Sequence, residues 1–373
     1  MRQVETFRAL CALCLSLLIA LLDLGTANAQ PGPTAASAMS QPFAISSPNG
    51  IDEEAFVVIG GLRQWVTIRG MDRANPVLLI VGGTQVDGPG AVMSPYIWVF
   101  QPWEKDFTVV QWDPRGAGKT FAEAGKTIGP DLTLDQLVKD GLELTTYLRG
   151  RLGKPKIVLL GVNFGSTVGV KMVMTKPELF SAYVGAGQVV SNRTAEERFG
   201  YERLLRLATA AGDEAALADL KISGPEPFRE PRDPAKLAAF LRAGAKYRPP
   251  SIDPVKHPLN LGAAHWTMDD VVAAQGALAL NEQRLGRDWG EHFDFASLGP
   301  RLSVPVFIIQ GEDNDIAPTP MAKAWLAGIR APSKMFVAIP IAGNHALETH
   351  SAAFLAQLDQ HVRPIALAAD RRH

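Results

Sequence analysis

Short apolar runs alternate with helical patterns along most of the chain, and this alternation limits the fold more than any other feature of the sequence. Several runs are continuously apolar, which is typical of strands buried on both faces of a sheet. Strands that alternate with helices predict a mostly parallel sheet with helices on both faces. The predicted strands are 55–60, 64–69, 76–81, 107–112, 156–161, 182–185, 304–310 and 334–339, and predicted helices among them are 133–152, 166–175 and 320–329.

The predicted strands are absent from the segment 190–298, where helical patterns follow one another. We expect this segment to form a helical lid, inserted into a core made of 54–189 and 299–368, because ligands of open α/β sheets bind beyond the carboxyl ends of the strands. A second domain with no role at the site is the alternative. Residues 30–53 are rich in Pro, Ala, Ser and Gly and predict a flexible leader.

Residues 1–29 have the pattern of a cleaved secretory signal peptide. Two basic residues precede an apolar run, and an Ala-Asn-Ala tripeptide ends the segment. A membrane anchor is the alternative, but Asp23 and the short run argue against it, since a span needs about 20 apolar residues. We therefore expect an exported protein, periplasmic or secreted, that has no membrane association after cleavage. Both cysteines lie inside the signal, so the mature chain has no disulfides and no thiolate chemistry.

The charge of the chain is nearly balanced, with 37 basic and 38 acidic residues and a net charge of −1. A surface of this kind does not recruit nucleic acid or anionic membrane through its overall electrostatics. We therefore do not expect nucleic acid as a partner. The sequence gives no indication of the oligomeric state.

Four segments carry a family resemblance: "FTVVQWDPRGAGKT" (107–120), "KIVLLGVNFGSTVGVKM" (156–172), "VPVFIIQGEDNDIAPT" (304–319) and "IPIAGNHALETHSAAF" (339–354). Together they resemble the α/β-hydrolase superfamily, and within it the prolyl iminopeptidase-like serine peptidases. The Asp-x-Arg-Gly-x-Gly run at 113–118 is fairly specific to this group. The resemblance implies an α/β-hydrolase fold with about eight strands, and serine chemistry that needs neither a cofactor nor a metal.

The resemblance also implies a catalytic triad in the chain order Ser, Asp, His. The serine position of the G-x-S-x-G pattern is Asn163 in this chain, the acid position of G-x-x-D-x-x-x-P is Asn314, and the histidine position of G-H-x-A is Asn344. A carboxamide neither loses a proton at ordinary pH nor acts as a nucleophile. The three asparagines therefore predict a protein that has lost serine-dependent turnover.

Neighbouring groups offer an alternative, in which the protein is an active hydrolase or aminopeptidase with relocated catalytic groups. Asp313 and Asp315 flank Asn314, and His345 follows Asn344. A shift of one residue would bring His345 together with one aspartate as an acid–base pair that activates water. The nearest hydroxyls belong to Ser166 and to the residue after it, which we expect to pack against the sheet.

The loop after the third predicted strand reads "VGGTQVDGPG" (81–90), where relatives carry His-Gly-Gly-Pro-Gly. Its histidine is missing, but Gly82, Gly83, Gly88 and Gly90 remain. Glycines allow a close approach of the backbone, so N–H donors for a ligand remain available. A glycine-rich turn that binds nothing is the alternative.

Further binding residues are expected beside the turn and in the lid. Phe164 follows Asn163, and Glu196 and Glu197 stand near the start of the lid, where similar peptidases use carboxylates to hold a free amine. Ordinary carboxylates at a helix start are the alternative. We expect a small-peptide or small-molecule ligand. A structural descendant that binds a protein partner and has a collapsed pocket is the third hypothesis.

Overall fold

The computed structural model describes residues 44–82, 97–226, 233–249, 277, 280–286 and 301–371. These residues all lie within one compact unit, Met39–His373. The predicted signal peptide lies outside the described residues. Within the described part of the chain, no helix combines the length and the apolar character that crossing a membrane requires.

Eight strands form one sheet in the order β1-β2-β4-β3-β5-β6-β7-β8. Strand β2 is antiparallel to both β1 and β4, and the remaining neighbours are parallel. The predicted sheet of about eight mostly parallel strands is therefore confirmed. The strands are β1 (Ile51–Ile59), β2 (Leu62–Gly70), β3 (Val77–Val81), β4 (Thr108–Asp113), β5 (Ile157–Val162), β6 (Phe180–Ala186), β7 (Val306–Gly311) and β8 (Lys334–Ile339).

The apolar runs form strands because the sheet is covered on both faces. Along β3, Val77, Leu79 and Val81 belong to one hydrophobic cluster, and Leu78 and Ile80 belong to another. Successive side chains of a strand point to opposite faces, so a strand between two layers of helices must be apolar throughout. The α-helices whose bounds the structure describes are α1 (Ile97–Phe100), α2 (Gly118–Ala124), α3 (Leu134–Leu152), α4 (Phe164–Thr175), α5 (Arg193–Ala211), α6 (Glu214–Ser223), α7 (Pro234–Gly244), α8 (Thr319–Gly328), α9 (Ala346–Thr349), α10 (Ser351–Gln357) and α11 (Arg363–Asp370).

The first strand differs from its prediction, because β1 begins at Ile51, inside the predicted leader. The alternation of apolar and polar residues is irregular at the start of this strand. The composition of the segment therefore favoured a flexible leader there. A two-residue turn of Gly60 and Gly61 joins β1 to β2, and both glycines have positive φ angles, 56° and 73°. Paired positive φ angles suit the right-handed twist of a hairpin, and glycine adopts them without steric cost.

The segment predicted as the lid contains α5, α6 and α7 in its described part. These helices enclose a small hydrophobic cluster of their own, which includes Leu204, Leu220 and Phe240. The first two helices of this segment, α5 and α6, are separated at Gly212. Gly212 has a φ of 60° and accordingly ends α5 in a left-handed conformation.

A buried ion pair joins the Asp-x-Arg-Gly-x-Gly run to α3. The Nε atom of Arg115 lies 2.7 Å from Asp140 Oδ2, and both side chains are almost completely buried. Gln64 Nε2 donates to the same oxygen at 2.7 Å, and Trp112 Nε1 donates to Gln64 Oε1 at 2.9 Å. The run therefore connects β2, β4 and α3 on one side of the sheet.

We expect Asp140→Ala to lower the free energy of unfolding by about 3–5 kcal/mol, because it leaves the buried Arg115 guanidinium without its partner. Asp135→Ala is the control on the same helix. The Asp135 side chain is 79% exposed and pairs with Lys171 at 3.0 Å, so its removal should cost at most about 1 kcal/mol. Urea unfolding of both variants measures the difference, and equal losses would contradict this prediction.

The helices of the lid segment are joined at Asp213, which precedes α6. Its carboxylate accepts hydrogen bonds from Lys246 Nζ, from the Ala216 N–H at 3.1 Å and from the Tyr247 hydroxyl at 2.9 Å. The hydrogen bond from Lys246, followed by the other two, lowers the pKa of Asp213 from 3.8 to about 2. The ionised carboxylate therefore stabilises the packing of α6 against the segment that follows α7.

This lowered pKa predicts a pH dependence of stability. A carboxyl whose pKa is lower in the folded state stabilises the fold above its unfolded pKa of 3.8, and this stabilisation is lost as the pH falls toward 2. We expect wild type to be more stable than Asp213→Asn at pH 6 and the difference to disappear near pH 2. Urea unfolding across this pH range measures it, and a difference that stays constant with pH would count against the assignment.

Candidate functional site

A strained turn places Asn163 between β5 and α4. Asn163 has φ 49° and ψ −124°, a backbone conformation that residues other than glycine rarely adopt. Its N–H donates to the Ala186 carbonyl at 2.9 Å, and its carbonyl accepts from the Ser166 N–H at 2.8 Å. A sharp strand-to-helix turn with a strained residue at its tip is the geometry of a nucleophile elbow.

Two glycines make this turn possible. A methyl group built on Gly161 would lie 2.6 Å from the Ser166 Cα, and one built on Gly165 would lie 2.1 Å from the Val81 carbonyl oxygen. Both contacts involve backbone atoms, which cannot move aside as a flexible side chain can. The G-x-N-x-G spacing is therefore required by the close approach of α4 to the ends of β3 and β5.

The structure brings Asn163 and Asn344 together beside Gly187. A methyl group built on Gly187 would lie 2.2 Å from Asn163 Oδ1 and 3.5 Å from Asn344 Oδ1. Both amide oxygens are buried, and neither has a hydrogen-bond partner among the described residues. An unsatisfied buried polar atom costs about 1–3 kcal/mol, so this pair is an energetic cost that the fold retains.

Asn314 lies in the loop after β7, at the position predicted for the acid. Its Oδ1 accepts hydrogen bonds from the Ile316 N–H at 3.0 Å and the Ala317 N–H at 3.1 Å, and the residue is only 2% exposed. A carboxylate oxygen in this place would accept the same two bonds. The loop therefore tolerates asparagine, although the amide cannot carry the negative charge that would stabilise a histidine cation.

The loop that carries Asn344 is also strained. Ile341 has a φ of 55°, which is a genuine outlier for a β-branched residue, and its side chain is exposed. The next residues pack on the loop after β7, since a methyl group built on Gly311 would lie 2.2 Å from the Ala342 carbonyl oxygen. The two loops are therefore held against each other by close backbone contact.

Buried polar side chains next to the loops of the three asparagines form a network of hydrogen bonds. The Gln188 N–H donates to Gln310 Oε1 at 2.9 Å, and Gln310 Nε2 donates to Thr319 Oγ1 at 2.8 Å. The Tyr183 hydroxyl donates to Gln188 Oε1 at 2.7 Å, and Gln188 Nε2 donates to Ser166 Oγ at 3.2 Å. Burial raises the pKa of Tyr183, so it remains a neutral donor. The network joins α4 and β6 to the loop after β7.

The hydroxyl nearest to the turn is engaged in this network. Ser166 is completely buried, and its Oγ accepts a second hydrogen bond from the Val189 N–H at 3.0 Å. Thr167 is buried as well. The expectation that these hydroxyls pack inside the protein is confirmed, and neither is placed to attack a substrate above the turn.

The aspartates proposed as partners of His345 bind arginines from the lid segment instead. Asp313 Oδ1 lies 3.2 Å from Arg203, and Asp315 Oδ2 accepts from Arg248 Nε at 2.8 Å. His345 therefore does not pair with either aspartate, because each of the two carboxylates binds an arginine guanidinium instead.

The carboxylate that contacts His345 belongs to Glu348, one helical turn further along the chain. His345 Nδ1 lies 3.9 Å from Glu348 Oε2, and the histidine side chain is 45% exposed. Burial raises the pKa of Glu348, and the neighbouring His345 opposes this shift. The i,i+3 spacing of the two residues is the signal in the sequence that would have indicated this contact.

The predicted binding residues have different surroundings. Glu196 Oε1 accepts from the Val190 N–H at 2.9 Å and the Ser191 N–H at 3.2 Å, so it satisfies the backbone before α5. Glu197 is buried beside it. Phe164 is buried in the hydrophobic cluster that also contains Val77, Leu79 and Val81 of β3. Gly82 ends a described segment, and three predicted glycines lie outside the described residues: Gly83, Gly88 and Gly90.

The side chains that commonly bind metals do not converge in the part of the chain that the structure describes. There, no cluster of three or more His, Cys, Asp and Glu side chains is close enough to hold a metal ion.

Comparisons with known proteins agree with this architecture. The chain is 26% identical over 282 residues to the probable aminopeptidase YbaC of Bacillus subtilis (strain 168), covering 74% of this chain and 85% of that protein. The proline iminopeptidase of Mycobacterium smegmatis superposes with a TM-score of 0.59 at 19% identity, covering 86% of this chain and all of that one. A proline iminopeptidase-related protein of Thermus thermophilus superposes with a TM-score of 0.54 at 20% identity, covering 86% of this chain and 98% of that one. No family model matches the chain.

The sheet order, the strained turn and the structural neighbours define the chain as a protein with the α/β-hydrolase fold. Within that fold it resembles the prolyl iminopeptidase-like group, which confirms the resemblance read from its four segments. The likeness to a probable aminopeptidase supports an aminopeptidase-like hydrolase ancestry.

The close contact of α4 with β3 predicts that Gly165→Ala is destabilising by about 1–3 kcal/mol, as expected when a methyl group is forced into a packed site. Gly150, on the exposed side of α3, is the matched helical control, because a methyl group built there meets no atom within 4 Å. Gly150→Ala should stabilise the protein by about 0.5–1 kcal/mol. Thermal and urea unfolding measure both changes, and a Gly165→Ala protein as stable as wild type would refute the tight turn.

Proposed function

We propose that this chain is an exported, catalytically impaired descendant of an aminopeptidase-like hydrolase that retains the binding of a small peptide or a similar small molecule. The ligand would lie between the Asn163 turn, the glycine loop and the lid. One observation carries the proposal: Asn163 occupies the strained tip of the turn from which a serine would attack.

The loss of turnover follows from the chemistry of the three positions. The amide of Asn163 has no proton to give up and no anion with which to attack a carbonyl. Asn314 accepts hydrogen bonds from its own loop, and Asn344 provides no base. The buried Ser166 hydroxyl lies a helical turn further along, inside the polar network. No step of covalent catalysis therefore has a group to perform it at these positions.

The strain and the unsatisfied polar atoms that remain at the site support the retention of ligand binding. The turn at Asn163 is strained, and two buried amide oxygens lack partners among the described residues. Strain and unsatisfied groups persist where the surrounding structure enforces them, and they are concentrated at ligand sites. A descendant with a collapsed pocket would have no reason to retain either feature.

Export is supported by the signal-peptide pattern at 1–29 and by the absence of cysteine after it. A periplasmic or secreted protein of this kind would meet free peptides and small metabolites directly. A role in capturing such molecules fits a site that binds its ligand without hydrolysing it.

A second candidate is hydrolysis by a water that His345 activates. The observation that favours it is the exposed His345, whose Nδ1 lies 3.9 Å from the Oε2 of the Glu348 carboxylate. This route needs no nucleophilic side chain, so it differs from serine catalysis in producing no covalent intermediate.

A fluorophosphonate probe and chromogenic aminoacyl and ester substrates separate these hypotheses. We expect the purified mature protein to remain unlabelled and to release no chromophore, while a panel of small peptides raises its melting temperature. Release without labelling, abolished by His345→Ala, would establish the second candidate instead. Labelling at any hydroxyl would overturn the proposal, and a melting temperature unmoved by every ligand would favour the structural descendant.

Restoring the triad tests whether the site itself is intact. We expect the triple variant Asn163→Ser, Asn314→Asp, Asn344→His to react with the fluorophosphonate, because the turn holds residue 163 in the strained backbone conformation of a nucleophile elbow. The double variant Asn314→Asp, Asn344→His is the matched control, since it lacks the nucleophile and should stay unlabelled. A triple variant that folds but does not react would show that the site has lost more than its side chains.

A further inference from the structure

Two hydrogen-bond acceptors meet at one place in the site, beside Gly187. Asn163 Oδ1 and Asn344 Oδ1 lie 2.2 Å and 3.5 Å from the point where a methyl group on Gly187 would stand. Both oxygens are buried, and no described residue donates a hydrogen bond to either. Two partial negative charges are thus held close together, and no described residue donates a hydrogen bond that compensates them.

The chemistry of the pair selects a class of ligand. Carboxamide oxygens accept hydrogen bonds, so two of them at one point call for a group that donates more than one. A primary ammonium has three N–H donors and a positive charge, and bonds to a charged donor are about twice as strong as neutral ones. A carboxylate has no donor and would be repelled, and an alcohol could satisfy only one of the two oxygens.

The surroundings do not oppose a cation at this place. The lid segment reaches the Asn344 loop, since a methyl group built on Gly343 would lie 3.4 Å from Pro249 Cδ. The neighbouring Arg248 is paired with the buried carboxylate of Asp315 at 2.8 Å, so its charge is balanced locally. Enclosure by the lid lowers the effective dielectric constant, which strengthens hydrogen bonds to a bound ammonium.

We propose that the carboxamide oxygens of Asn163 and Asn344, beside Gly187, form a subsite for a primary ammonium group of the ligand. This inference rests on the proposed function, because it names the chemical class that the retained pocket binds. The positions that carried a nucleophile and a base in the ancestry would thus act together as a neutral receptor for a cation.

Calorimetric titration with benzylammonium and with benzoate tests the subsite, because the two probes share a ring and differ in charge and donors. We expect wild type to bind benzylammonium and not benzoate. Asn163→Asp and Asn344→Asp should each tighten benzylammonium binding by about tenfold, since each keeps an acceptor oxygen and adds a negative charge. Asn192→Asp is the charge-matched control, as the Asn192 side chain caps α5 by accepting from the Ala195 N–H at 2.9 Å.

Two glycines with the same φ angle provide a steric test. Gly187 and Gly212 both have a φ of 60°, so alanine introduces similar strain at each. A methyl group on Gly187 would collide with Asn163 Oδ1, whereas one on Gly212 meets nothing within 4 Å. We expect Gly187→Ala to weaken benzylammonium binding by at least about tenfold and Gly212→Ala to leave it unchanged. The aspartate variants decide the question if Gly187→Ala fails to fold.

Each result bears on the subsite separately from the proposed function. Benzoate binding in preference to benzylammonium, or aspartate variants that bind benzylammonium no more tightly than wild type, would overturn the ammonium subsite and leave a retained pocket standing. Binding of neither probe would also overturn it, and the melting-temperature panel of peptides would then decide whether the pocket binds ligands by other groups. Labelling by the fluorophosphonate would overturn the proposed function itself.

Discussion

The hydrogen bond from the Gln188 N–H to Gln310 Oε1 joins the ends of β6 and β7 next to the site. The geometry of the site depends on this bond. Gln188 also holds Tyr183 and Ser166, and Gln310 holds Thr319. All of these side chains are buried, where hydrogen bonds are strong and an unpaired group is costly. Such a network permits only one relative position of its members. It therefore fixes the turn at Asn163 with respect to the loop that carries Asn314.

This arrangement explains how the fold accommodates asparagine at these positions. Asn314 accepts the hydrogen bonds that its loop requires, and Asn163 adopts the strained backbone conformation of the turn. The charges next to the acid position serve a structural purpose, because Asp313 and Asp315 bind Arg203 and Arg248 of the lid segment. These two ion pairs hold the loop after β7 against the lid segment.

Much of the fold could be predicted because it follows from local pattern. The continuous apolar run of β3 indicated a strand covered on both faces, and Thr133 indicated the start of α3, where its side chain accepts from the Gln136 N–H at 3.2 Å. The spacing of Gly161 and Gly165 indicated the turn and the burial of Ser166. The alternative pairing of His345 with Asp313 or Asp315 rested on sequence proximity, and the ion pairs of these aspartates with distant lid residues could not be read from a single chain.

The sequence by itself determined the alternation of strands and helices, the elbow spacing and the three asparagines, because each depends on residue types at fixed short intervals. Only the tertiary structure decided that Asn163 and Asn344 meet beside Gly187, that Gln188 and Gln310 tie the site together, and that Glu348 is the carboxylate facing His345. Most of these contacts join residues far apart in the chain. Their distances depend on how the whole sheet twists and packs, which no short stretch of sequence specifies.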